Sequence, residues 1–119
     1  MNTANSFHID LSYLRSVTGG DKTFEKMLLL NAVSDIQSNM NSLQGAWVEK
    51  NAVSVSTAAH TLKSVVAIAG IPPLETLCKK ISQLFKDGIF KPEEESSVAA
   101  ILDGWREAKP KLEEVIAMY

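Results

Sequence analysis

Apolar residues recur every three or four positions through most of the chain, and breaks fall at Gly19-Gly20, Lys50-Asn51, Gly70 to Pro73, and Gly88 to Pro92. The rhythm is helical throughout. Asp21 is a good N-cap, and Phe24, Leu28, Ala32, Ile36, Met40, Leu43 and Trp47 after it predict one long helix over 21–49. Leu29, Leu30 and Val33 add a second apolar strip, which the short segment 10–17, with Leu11, Leu14 and Val17, is expected to cover. Asn51 caps the next helix, 52–69, whose buried stripe runs through Ala52, Val55, Ala59, Leu62, Val66 and Ala69 to a left-handed stop at Gly70. A third helix over 72–87 starts at Pro72 or Pro73, buries Leu74, Leu77, Cys78, Ile81, Leu84 and Phe85, and ends at Gly88. The last runs over 92–118: Glu93 to Glu95 suit its positive dipole end, and Val98, Ile101, Leu102, Trp105, Leu112, Val115, Ile116 and Tyr119 continue the stripe. Pro110 lies inside that pattern and is expected to kink or split the helix.

No segment alternates as a strand does, so the class is all-α. Long amphipathic helices joined by short loops pack as antiparallel neighbours, which gives an up-and-down four-helix bundle with a short additional N-terminal helix. Neither an internal repeat nor a long linker divides the 119 residues, and one domain over 1–119 is expected.

Composition narrows the function. Hydrophobic residues make up 45% and charged residues 22%, as in ordinary globular domains, so disorder is not indicated. The longest apolar runs, Met27 to Leu30 and Val65 to Ala69, are far too short to span a bilayer, and Met1 to Ser6 is polar and uncharged, unlike a secretory leader. One cysteine, Cys78, can form no internal disulfide and fits a reducing compartment as a small core residue; the expectation is a cytoplasmic protein without a membrane. Twelve Lys and Arg against 14 Asp and Glu leave a net charge of −2, and no basic cluster in the sequence suggests nucleic acid. Phosphate loops, zinc motifs, a nucleophile elbow and paired Glu-x-x-His are absent, so no cofactor or metal of its own is expected.

Two histidines remain. His8 precedes the first helix and carries no role beyond capping or exposure. His60 lies in the middle of the second long helix, on a face with Ser56, Lys63, Ser64 and Ala67 that is separate from the apolar stripe and free of carboxylates. Its neighbours at i−4, i+4 and i+7 are Ser or Ala, so nothing bulky shields the ring, and Lys63 can set an ammonium beside an anion attached to it. An imidazole offers a ring-nitrogen lone pair at physiological pH, which suits a nucleophile for a phosphoryl group. In an arbitrary protein the same pair is usually ordinary surface, and periodicity alone does not decide between the two. Trp47 and Trp105 read as core, and Gly45, costly inside a helix, reads as a close approach or early fraying.

Ala58-Ala59-His60-Thr61-Leu62-Lys63-Ser64, followed by Ala67 and Gly70, resembles the signature of histidine-containing phosphotransfer (HPt) domains of phosphorelays. In that family Leu or a similar residue follows the His at +2, Lys at +3, usually Gly at +4, and Gly again at +10. Gly-Gly-Asp21 before Phe24, Asn51 ahead of His60 and Leu77-Cys78 extend the likeness from about Ile9 to Leu84. Two positions depart from it: Ser64 replaces the usual Gly, and Ser82 stands where many members carry a Gln near the phosphohistidine, a role that Gln83 is placed to take over.

The resemblance implies a phosphoryl carrier without kinase activity of its own. His60 accepts a phosphoryl group from an aspartyl phosphate on a receiver domain and passes it to another, with Lys63 stabilising its charge and Ser56, Ser64, Ala67, Ser82 and Gln83 around it. Implied partners are response-regulator receiver domains, which would hold the Mg²⁺, and a hybrid sensor histidine kinase; the chain itself is expected to be a monomer. The alternative is a helical interaction module or adaptor in which His60 is incidental.

Overall fold

The computed structural model describes residues 8–119, so the polar start at Met1 to Ser6 lies outside the described residues. Five α-helices follow in order: α1 (Ser12–Thr18), α2 (Lys22–Val48), α3 (Ala52–Ala69), α4 (Pro72–Leu84) and α5 (Glu95–Ala117). Helices α2 to α5 pack around a ring in chain order, with α2 also against α5, and α1 lies across α2 and α3. This is the predicted all-α up-and-down bundle with one extra helix.

Local chemistry sets the boundaries. The Asp21 carboxylate accepts from the Phe24 amide at 3.1 Å and opens α2, and the Asn51 side chain accepts from the Ser54 amide at 3.1 Å and opens α3. At the α2–α3 turn Lys50 takes a left-handed φ of 56°, and the amides of Lys50 and Asn51 donate to the Trp47 and Ala46 carbonyls, closing the end of α2. Helix α1 begins two residues later than expected, because the Asp10 carboxylate is occupied with the Ser12 amide and hydroxyl and sits outside the helix. Helix α4 stops at Leu84 rather than residue 87, passing into a turn that ends at left-handed Gly88. The acidic run forms a 3-10 turn at Pro92–Glu94 before α5 starts at Glu95.

The core holds Ile36, Leu43, Val55, Leu62, Val66, Leu74, Cys78, Ile81, Phe85, Ile101 and Leu112, all fully buried. The predicted stripe of α3 is buried without exception, and Ala58 joins it. Four expectations need correction. Pro110 does not split α5, which runs unbroken past it; the proline is exposed, and the carbonyl it leaves unbonded, at exposed Arg106, faces water. Gly45 is neither a close approach nor a frayed end: a Cβ there would meet nothing, and α2 continues to Val48. Phe24 and Leu30 are 38% and 51% exposed, because α1 has only two turns and spends Leu14 on the core while Val17 also stays outside. Trp105 is core as expected, its indole N–H donating to Gln37 Oε1 at 3.0 Å, but Trp47 is half-buried, packed with Phe90 and Phe85 at centroid distances of 4.6 and 5.8 Å.

A buried carboxylate was not foreseen. Glu25 is fully enclosed, accepts from Tyr119 Oη at 2.9 Å and Thr18 Oγ1 at 3.0 Å, and lies 3.4 Å from Lys22 Nζ. Burial pushes its carboxyl up, but the two hydroxyl donors and the Lys22 charge outweigh that and leave it below the usual range. Burial and the same bond push the Tyr119 phenol the other way, upward.

At the other end of α3, Gly70 adopts φ 77° and its carbonyl accepts from the Asp10 amide at 2.8 Å. A Cβ on Gly70 would run into the Asp10 carbonyl. Only glycine fits here, and the fit presses the irregular lead into α1 against the end of α3.

Three outcomes test this account. Gly45→Ala should raise stability by about 1 kcal/mol in urea unfolding, whereas Gly70→Ala should lower it by about 1–3 kcal/mol. Since the Glu25 carboxyl is depressed in the fold, its contribution is present above its unfolded-state pKa and is lost as pH falls; Tyr119→Phe should move acid unfolding, followed by circular dichroism, to higher pH.

Candidate phosphoacceptor site

The site is built on the uncovered side of α3. Because Ala59 and Leu62 point into the bundle, His60 between them is turned out, and it is exposed at the helix centre, near neither end. Lys63, one turn on, is half-buried.

A groove of about 420 Å³ separates α3 from α4 at this point. From α3 it is lined by Ser56, Thr57, His60, Thr61 and Lys63, and from the α4 side by Lys79, Ser82, Gln83 and Lys86. A second hollow, of about 500 Å³, continues toward α1 and is lined by Lys63, Ser64, Ala67, Ile68, Tyr13 and Glu75. Lys63 belongs to both and marks the join.

The residues singled out from the sequence therefore divide. Ser56, Ser82 and Gln83 share the groove with His60, while Ser64 and Ala67 lie in the second hollow. Ser56 does not point freely outward: it is half-buried, and its hydroxyl donates to the Ser82 carbonyl at 2.8 Å, tying α3 to α4. That proton is spent and cannot also meet a phosphoryl oxygen. The patch is not wholly free of carboxylates, since Glu75 borders the second hollow, although it makes no ion pair with Lys63 among the described residues. Cys78, behind Glu75 on the core side of α4, is fully buried; burial first, and then the Glu75 charge, push its thiol up to about 12, so it is inert packing.

Lys79 and Lys86 went unnoticed in the sequence. Each follows a core residue, Cys78 or Phe85, by one position, as Ser82 follows Ile81, so the three line one edge of the apolar stripe. That spacing is the signal that could have found them. Sequence patterning also missed Tyr13, which α1 brings to the same surface.

Chemically the groove offers an unshielded ring nitrogen, three ammonium groups and hydroxyls, with no carboxylate in its lining. Among the described residues no cluster of His, Cys, Asp and Glu could hold a metal ion. The arrangement suits a nucleophile that receives an anionic group and leaves the other half of the chemistry to a partner.

The family model described as Hpt domain matches residues 27–116. The solved structure of the HPT domain from the Hpt sensor hybrid histidine kinase from Shewanella has the same fold, with a TM-score of 0.82 at 14% identity over 93% of this chain and 95% of that one. No curated protein matches the chain. The family match makes this a histidine phosphotransfer module of phosphorelays, a phosphoryl carrier that partners receiver domains. The chain belongs to the Hpt domain family.

With its ring outside the core, His60→Gln should change stability by no more than about 0.5 kcal/mol in denaturant unfolding. A larger loss would mean that the ring is a packing residue.

Proposed function

We propose that His60 is the phosphoacceptor and that Lys63 stabilises the transferred charge. One observation carries this: His60 is exposed at the centre of α3, in a groove whose charged lining consists of lysines. A ring nitrogen of His60 attacks the phosphorus of a receiver's aspartyl phosphate, an N–P bond forms as the acyl P–O bond breaks, and the aspartate leaves with the electron pair as a carboxylate. The reverse step on a second receiver passes the group on. The receiver contributes its acidic cluster and Mg²⁺, while this chain contributes position and positive charge. Neither step needs a nucleotide or a metal from this chain.

Docking has an apolar surface to use. Tyr13 and Val17 of α1 and Phe24, Met27 and Leu30 of α2 are all substantially exposed, and Tyr13 reaches the hollow that adjoins the His60 groove. Apolar anchors beside a polar centre are what a transient protein partner requires. The donor on this reading is a receiver of a hybrid sensor histidine kinase, and the chain acts as a monomer in the cytoplasm. The helix α3 is long and apolar enough to cross a membrane by length and composition, but Val55, Leu62 and Val66 are buried in the bundle. Ser64 adds only a hydroxymethyl group at the hollow, which alters partner fit and leaves the ring accessible.

Incubation with a phosphorylated receiver domain tests the proposal. An acid-labile, alkali-stable phosphoryl group should appear on the wild type and be absent from His60→Gln; a folded wild type that takes none would leave an adaptor as the better reading. Lys63→Ala should slow transfer about five- to tenfold, as expected for loss of about 1 to 1.4 kcal/mol of transition-state stabilisation. Ala67→Trp should block transfer from the receiver by a clash at the hollow while sparing labelling by phosphoramidate, and equal loss toward both donors would indicate a damaged helix.

A further inference from the structure

The strip of α3 that carries His60 continues back to the start of the helix and ends on an apolar side chain. Val53 lies seven residues before His60. Seven residues turn an α-helix through about 700°, so the two side chains leave it within about 20° of one another, about 10 Å apart along the axis. Val53 is 63% exposed. Ser56 and Thr57 stand between the two and line the groove beside His60, and Thr57 Oγ1 donates to the Val53 carbonyl at 3.0 Å. The polar groove and the valine therefore form one continuous surface.

Ile89 joins Val53 from the loop that follows α4. Gly88, left-handed at φ 79°, brings that loop over the start of α3, where a Cβ on the glycine would lie 3.9 Å from Val53 Cγ2. Ile89 itself is held on both sides. Its amide donates to Asp87 Oδ1 at 2.9 Å and its carbonyl accepts from Lys91 Nζ at 3.1 Å, while the Asp87–Lys91 ion pair, at 2.8 Å, closes the clasp. Its side chain is nevertheless 63% exposed. An apolar side chain that is fixed through its backbone and left in water gains nothing for the fold, but it meets a partner with little further ordering to be done.

A protein that phosphorylates His60 must cover it. A partner burying about 800 Å² of this chain covers a patch about 30 Å across, which takes in a residue about 10 Å from the centre. Tyr13, in the hollow with Ser64 and Ala67, stands on the opposite side of His60 from Val53. We propose that Val53 and Ile89 form a second apolar anchor for the receiver domain, which straddles His60 with Tyr13 at one end of the strip and Val53 and Ile89 at the other. This rests on the reading of His60 as phosphoacceptor. The receiver that fits carries apolar side chains on both sides of its phosphoaspartate, with polar surface between them.

Transfer from a phosphorylated receiver domain to the full chain, measured against receiver concentration, tests the anchor. Val53→Ala and Ile89→Ala should each raise the half-saturating concentration about threefold and the double variant about tenfold, with the rate at saturation unchanged, because contacts held equally before and during transfer act on binding alone. Val53→Leu should keep the wild-type value. Labelling by phosphoramidate, which needs no docking, should be the same in all of them. Met118→Ser removes an apolar side chain that is 84% exposed in a different hollow and should leave transfer unchanged. A double variant with the wild-type half-saturating concentration, an equal rise in Met118→Ser, or a parallel fall in phosphoramidate labelling overturns the anchor while leaving His60 as acceptor. If the variants prove unfolded by circular dichroism, the wild type decides: on titration with a beryllofluoride-loaded receiver its Val53 and Ile89 methyl resonances should shift together with the Ala67 methyl, and a shift of Ala67 without them overturns the anchor. A folded wild type that takes label from neither the receiver nor phosphoramidate overturns the acceptor reading and the anchor together.

Discussion

Everything at the site depends on α3 being covered on one side only. It packs against α2 and α4 at once, and with Ala52, Ala58, Ala59 and Ala69 among its buried positions both neighbours can come close. An α-helix turns about 100° per residue, so two flanking helices leave a single strip of α3 open. His60 lies on that strip because Ala59 and Leu62 cannot. A rotation by one position would bury an imidazole and expose Leu62, and the burial of Val55, Leu62 and Val66 opposes it. The His60 ring is thus held outward by the hydrophobic effect acting on its neighbours, without a hydrogen bond of its own being needed to aim it.

The same helix also sets the position of α1. Gly70 ends α3 in a left-handed conformation and takes the Asp10 amide on its carbonyl, which brings α1 across the C-terminal half of α3 and carries Tyr13 to the hollow beyond Lys63. The glycine lies ten residues after His60, and its spacing is a matter of contact: at that point the chain must stop and let another backbone in. The end of α3 and the approach to α1 are therefore joined by a backbone-to-backbone contact.

Much of this is legible in the sequence, and what escaped has identifiable causes. Asp21, Asn51 and Gly70 are local signals that act on their own few residues, and the structure uses each as read. The α3 stripe is legible because every member is apolar. Phe24 and Leu30 were misplaced by the same rule, since periodicity gives the face of a helix and not the length of what covers it, and α1 is too short to cover both. Glu25 could not be foreseen: a carboxylate enters a core only where donors meet it, and Tyr119 and Thr18 arrive from elsewhere in the chain. Lys79 and Lys86 look like ordinary solvated charges until α4 is docked beside α3. His60 itself was legible as an outward residue from spacing, but its chemistry came from the resemblance around it.

The bond between Tyr119 and Glu25 joins residues 94 positions apart. Contacts of that separation bear the largest loop-closure entropy in a chain of this length and follow the local helical hairpins in folding. The bond and the packing around it are therefore expected to form late, with their contribution falling on the unfolding rate. On that footing they would act as a kinetic lock: the bundle can assemble without them, and once the end of α5 has closed over Thr18 and Glu25 that corner should be slow to come apart.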